Sequence, residues 1–150
     1  MNFNKIDNNT ECNCLHDSYV DLNSHFARRV RKAPDMKDAD FKSHFERGRI
    51  TESSQCEDIC GLHGVSIEIW NDVSSDVLMK KYQATANYSP KHKNNLSIFV
   101  IKSSAGRIKH TPRQIDEYNP FHYDLYKEDC FTVDCLELIE MIPLIPQTNA

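Results

Sequence analysis

GVSIEIW, residues Gly64–Trp70, is where the chain changes texture. Val65, Ile67 and Ile69 alternate with polar residues, the period of a half-buried strand. Upstream of this point apolar residues recur at helical spacing. Downstream, alternating runs are separated by turn-forming residues. The switch predicts an α+β domain, with N-terminal helices packed on a mostly antiparallel sheet of about four to five strands.

Downstream of Trp70, SSDVLMKKY reads as a short helix capped by Ser74 or Ser75, and NLSIFVIK as a strand buried on both faces. SSAGR is a turn leading into RIKHT, and FHYDLYK alternates again. In CFTVDCLELIEMI both periods are present, and a strand with a bulge suits the β-rich surroundings. ANYSPKHKNN, between Ala86 and Asn95, has the composition of an exposed loop.

Upstream of Gly64 the pattern is helical. Leu15, Tyr19, Leu22, Phe26, Val30 and Ala33 form one stripe, predicting a helix over residues 15–33 that Pro34 ends. A second helix over residues 36–47 places Phe41 and Phe45 one turn apart and stops at Gly48. A third, residues 54–62, starts from Ser54 and Glu57 at capping-box spacing. Residues 1–14 read as a flexible lead, 15–63 as the helical part and 64–146 as the mainly β part of a single domain spanning 1–150. The echo between SHFARRVRK (Ser24–Lys32) and SHFERGR (Ser43–Arg49) fits two amphipathic helices that end alike. Cations there complement the helix dipole, and the surplus arginines join one surface only if the fold brings them together.

The 39% hydrophobic content suits a folded protein with a core of its own. No apolar run approaches the ~20 residues of a membrane helix. The polar N-terminus resembles neither a secretory signal nor a mitochondrial presequence. Six cysteines in a chain of this length, without such a signal, are expected as reduced thiols in the cytoplasm.

Charge is unevenly spread. From Val77 to Ile115 there is no Asp or Glu, but there are eight Lys and Arg: Lys80, Lys81, Lys91, Lys93, Lys102, Arg107, Lys109 and Arg113. From Asp116 to Glu140 eight acids face only Lys127. Either the basic and acidic strands are sheet neighbours that offset each other, or the basic segment is a surface for phosphates or an acidic protein. The net charge of −4 argues against a dedicated nucleic-acid binder.

These features lead to a small cytoplasmic, non-enzymatic binding or accessory module that engages an anionic partner. The expected contacts are Arg28, Arg29, Arg31, Lys32, Lys80, Lys81, Lys91, Lys93, Arg107, Lys109 and Arg113. The expected partner is another protein, with RNA or DNA as the alternative, and no membrane. A second reading is a metal-independent, toxin-like ribonuclease. There His110 is the acid or base, His122 its counterpart, and Arg107 and Arg113 stabilise a phosphoryl transition state. Alternation, however, puts Arg107 and His110 on opposite faces. No cofactor is expected. Zinc is the one candidate, because Cys56, Cys60 and His63 fall on one helix face, although structural zinc favours closer ligand pairs.

Overall fold

β-Structure reaches further toward the N-terminus than the apolar spacing predicts. The structure, a computed structural model, describes residues 1–31, 34–86, 93–112 and 118–145. Its strands are β1 (His25–Val30), β2 (Val65–Ile69), β3 (Asn95–Ile101), β4 (Gly106–His110), β5 (His122–Lys127) and β6 (Leu136–Pro143). They form one six-stranded antiparallel sheet in the order β4-β5-β2-β1-β3-β6. The helices are α1 (Asn4–Asp7), α2 (Cys56–His63) and α3 (Ser75–Ala84), with short 3-10 turns at Asp38–Phe41 and Val133–Cys135. The α+β class stands, with one strand more than the upper expectation.

The largest correction concerns residues 15–33. The helix expected there is a loop followed by β1, in which Phe26 and Val30 face one side of the sheet and Ala27 the other. A spacing of four is even, so Phe26 and Val30 satisfy a strand as well as a helix. The position between them on the same face is Arg28, and a cation there hides the alternation that would have signalled a strand. The helix expected over residues 36–47 is likewise replaced, by the 3-10 turn and a turn at residues 44–48 closed by Gly48 at φ 82°. Ser43 and Glu46 form a reciprocal box there: the Ser43 N–H donates to Glu46 Oε1 at 3.0 Å, and the Glu46 N–H to Ser43 Oγ at 3.2 Å. The doubled Ser-His-Phe therefore lies on a strand and a turn, not on two helices.

Helix α2 begins two residues later than expected. The Ser54–Glu57 box does not form; Ser53 Oγ instead accepts from the Gln55 N–H and donates to Asp58. Ser74 does not cap α3 either, and its hydroxyl donates to the Ile69 carbonyl at 2.7 Å. In β6 the expected bulge is present as a register shift opposite Ile98 and Phe99.

One face of the sheet buries Phe26, Val65, Ile67, Phe99, Ile101, Ile108 and Leu125 beneath Met36 and Phe41. Edge-to-face contacts between Phe26 and Tyr123 and between Phe41 and Phe99, with centroids 5.6 and 5.5 Å apart, order this layer. The other face packs Ala27, Leu96 and Ile98 against Leu78 and Tyr82 of α3. The turn before β4 requires glycine at 106, since a Cβ there would lie 2.1 Å from the Tyr126 carbonyl oxygen.

The expectation of reduced cysteines is overturned. Cys12 is bonded to Cys56 and Cys14 to Cys60, with Cα–Cα distances of 5.6 and 5.3 Å. The first fourteen residues, expected to be flexible, are thereby tied to α2. Phe3, Ile6 and Cys14 are buried with Cys60 and Tyr126 in a third apolar cluster. The Asp129 carboxylate fastens the start of α1 by accepting from the Asn4 and Lys5 N–H groups at 3.0 and 2.9 Å. Among the described residues, no helix is long and apolar enough to cross a membrane.

Candidate functional site

β1 pairs with β3 over six residues but with β2 over only two, Phe26↔Ile69 and Ala27↔Glu68. Beyond Ala27 the two strands part, and main-chain carbonyls along the opening lose their ladder partners. Arg28 fills the gap. Its Nε donates to the Asp40 carbonyl at 2.6 Å and its Nη1 to the Ser66 carbonyl at 2.8 Å, while the guanidinium lies 5.6 Å from the Phe41 ring centroid. These acceptors are dipoles, so they satisfy hydrogen bonds without neutralising the charge. Burial, chiefly, and then the neighbouring Arg47 depress the Arg28 pKa to about 10, against the pull of Asp40.

Three further cations share this end of the sheet. Arg31 is exposed just past the end of β1, Arg47 is exposed on the turn at 44–48, and Lys93 is part-buried just before β3. Burial, followed by repulsion from Arg28, Arg47 and Arg31, pushes the Lys93 pKa down to about 8. Asp40 is the acid that opposes this shift. Its carboxylate is already engaged by the N–H groups of Lys37 at 2.9 Å and Arg31 at 3.4 Å. Three separate chain segments thus supply four cations around one carboxylate.

Other expected contacts lie elsewhere. Arg29, on the opposite face of β1, donates to Thr85 Oγ1 at 2.5 Å and to the Lys93 carbonyl at 2.9 Å, pinning the end of α3. Lys80 and Lys81 are exposed on α3, and Lys109 sits across from Asp124 on β5. Arg107 clamps the loop before β1 through Ser18 Oγ at 2.9 Å and the Ser18 carbonyl at 2.6 Å. Lys32, Lys91 and Arg113 fall outside the described residues. The basic and acidic segments are sheet neighbours, as β4 pairs with β5 and β3 with β6.

The groups of the ribonuclease reading are not brought together. His110 is paired with Tyr123 and so lies on the face opposite His122, and its Nε2 is 2.6 Å from the Pro120 carbonyl oxygen. His122 is buried with Nδ1 2.7 Å from the Thr111 carbonyl oxygen. For zinc, the sulfurs of Cys56 and Cys60 are consumed by the disulfides. His63 is buried against the Phe45 ring, with centroids 4.4 Å apart, and burial lowers its pKa. Among the described residues no group of three potential ligands is placed to hold a metal.

His63 also lines a cavity of about 290 Å³ between α1, the turn at 44–48 and the end of β5. Several of its polar groups serve the fold: Lys127 Nζ lies 2.6 Å from Glu46 Oε1, and Asp129 holds the start of α1. The contribution of Arg47 was legible only as a cation at a helix end, because nothing in the sequence places it beside Arg28. Comparison with protein-family models, curated proteins and solved structures gives no match to the chain.

Proposed function

We propose that the protein is a non-enzymatic binding module that engages an acidic protein surface through Arg28, Arg31, Arg47 and Lys93. The observation that carries this reading is the convergence of these four cations around a single carboxylate, that of Asp40. Such a cluster gains from a docked anion what the protein itself does not supply. Arg28 acts as a fixed positive floor, and the exposed Arg31 and Arg47 supply forked donors that match carboxylates two oxygens at a time.

The two disulfides favour an oxidising compartment over the cytoplasm. Nucleic acid is a rare partner in such a compartment, which leaves acidic protein as the better-supported anion. The test is fluorescence anisotropy with labelled polyglutamate and with a labelled DNA duplex. Wild-type protein should bind polyglutamate, and the exposed double substitution R31E/R47E should weaken binding at least about tenfold. Affinity should also fall with added salt. Equal binding by the variant sinks the reading. Tighter binding to the duplex, with a salt slope of about −0.9 per phosphate contacted, replaces the acidic protein with nucleic acid.

A further inference from the structure

The two edges of the sheet are treated differently. At the β4 edge, Tyr19 exchanges main-chain hydrogen bonds with Ile108 at 2.9 and 2.8 Å, and Arg107 holds that segment in place. At the other edge, β6 pairs with β3, and among the described residues no strand pairs with its outer side. β6 spans eight residues and ends the sheet with a row of outward N–H and C=O groups.

The surroundings of this edge are acidic on both faces. On one face, β6 borders a shallow groove of about 410 Å³ whose floor is Met36, Leu136 and Leu138 and whose rim carries Asp35, Asp38 and Asp134. Towards the other face, Glu137 and Glu140 lie opposite Val100 and Ile98 and are exposed. Lys37 and Lys102 only partly offset these acids.

We propose that the outer edge of β6 is a docking site for an extended segment of a partner protein that alternates basic with aliphatic residues. The segment adds a seventh, hydrogen-bonded strand to the sheet. Because side chains of an added strand alternate between faces, its aliphatic residues cover Leu136 and Leu138 on one face while its cations meet Glu137 and Glu140 on the other. Charge complementarity selects this occupant over a second copy of the chain. Antiparallel pairing of two β6 strands about the bond between Leu138 and Ile139 sets each Glu137 opposite a Glu140, and neighbouring registers leave them diagonal. The same glutamates that attract a basic strand therefore repel the protein's own edge.

The probe is a labelled peptide alternating lysine and valine, as long as β6, followed by anisotropy. It should bind wild-type protein, and E137K/E140K, two changes at exposed positions, should weaken it at least about tenfold. Methylating alternate amide nitrogens, which removes the donors but keeps every charge, should abolish binding. The idea fails if the methylated peptide binds as well as its parent, since charge alone would then explain the contact. It fails equally if E137K/E140K binds unchanged, if the parent peptide does not bind, or if wild-type protein dimerises through β6 instead.

Discussion

At the scale of single residues, Lys93 makes the candidate site sensitive to pH. Its pKa is pushed down to about 8, so its charge is lost across a range in which polyglutamate stays ionised. Affinity for polyglutamate should fall as pH rises from 7 to 9. The expected change is a few-fold, given about 0.5–1 kcal/mol for one partly screened charge pair. Lys93→Met should bind more weakly at pH 7 and show a flatter profile, while Lys93→Arg should keep the affinity and lose the pH dependence. A profile identical in all three proteins would remove Lys93 from the site. Arg28 is more instructive still for what the sequence conceals. A cation between Phe26 and Val30 breaks the strand pattern and leaves an apparent helix. Local pattern and fold disagree at Arg28, which the fold uses to satisfy the Asp40 and Ser66 carbonyls where β1 and β2 part.

Among elements, α2 and the N-terminal segment are coupled by covalent bonds rather than by a large core. Cys12 and Cys14 are two residues apart and Cys56 and Cys60 are four apart on a helix. The Cys14 N–H donates to the Cys12 carbonyl at 3.0 Å, and this tight turn brings the two cysteines to a separation comparable with the roughly 6 Å spanned by four helical residues. That match was legible in the sequence as a C-x-C facing a C-x3-C. The expectation of reduced thiols rested instead on length, core content and the expected compartment, which say nothing about the geometry of these cysteines. Closing a loop of this size stabilises by about 4 kcal/mol in the chain-entropy account, and the second bridge closes only a small extra ring. Replacing all four cysteines by serine should therefore cost about 4 kcal/mol in urea unfolding, and replacing either pair alone much less. Equal stability of the four-cysteine variant and wild type would show that the bridges do not hold the fold. Elements whose own residues carry their pattern, the alternation of β2 and β5, the apolar run of β3 and the short helix α3, were readable directly. The segments at 15–24 and 36–47 were not: Tyr19, Val20 and Leu22 are exposed although they fall on an apparent helical stripe, and Met36 and Phe41 cover a sheet whose existence no local window reveals.

For the molecule as a whole, opposing pKa shifts set how stability should vary with pH. Glu46 is held below its usual range, with burial opposing and Lys127 and Ser43 together prevailing. Its contribution is present above the ordinary carboxylate range and lost as pH falls through the folded value. Tyr82 is raised well above 10 by burial first and then by Glu68, which accepts a hydrogen bond from its hydroxyl, and Tyr19 is raised to about 12, again chiefly by burial. Their contributions are complete below pH 10 and lost above it, where relief of Arg28 opposes the loss only in part. Lys93 behaves oppositely: the unfolded chain holds its proton up to the ordinary lysine range, the folded protein only to about 8. Between those values the unfolded state binds more protons, so stability rises with pH. Thermal unfolding, with Cys130 and Cys135 alkylated to prevent exchange with the disulfides, should show Tm climbing from pH 7 to 10 and falling beyond. Lys93→Met should start higher at pH 7 and lose the climb, because the cost of burying the Lys93 charge, and then its repulsion from Arg28, Arg47 and Arg31, are gone. Bound polyglutamate should raise Tm more in wild type than in this variant at pH 7. If Tm of wild type is flat or declines between pH 7 and 10, neither burial nor the neighbouring arginines hold the Lys93 pKa down, and the pH sensitivity of the candidate site goes with it.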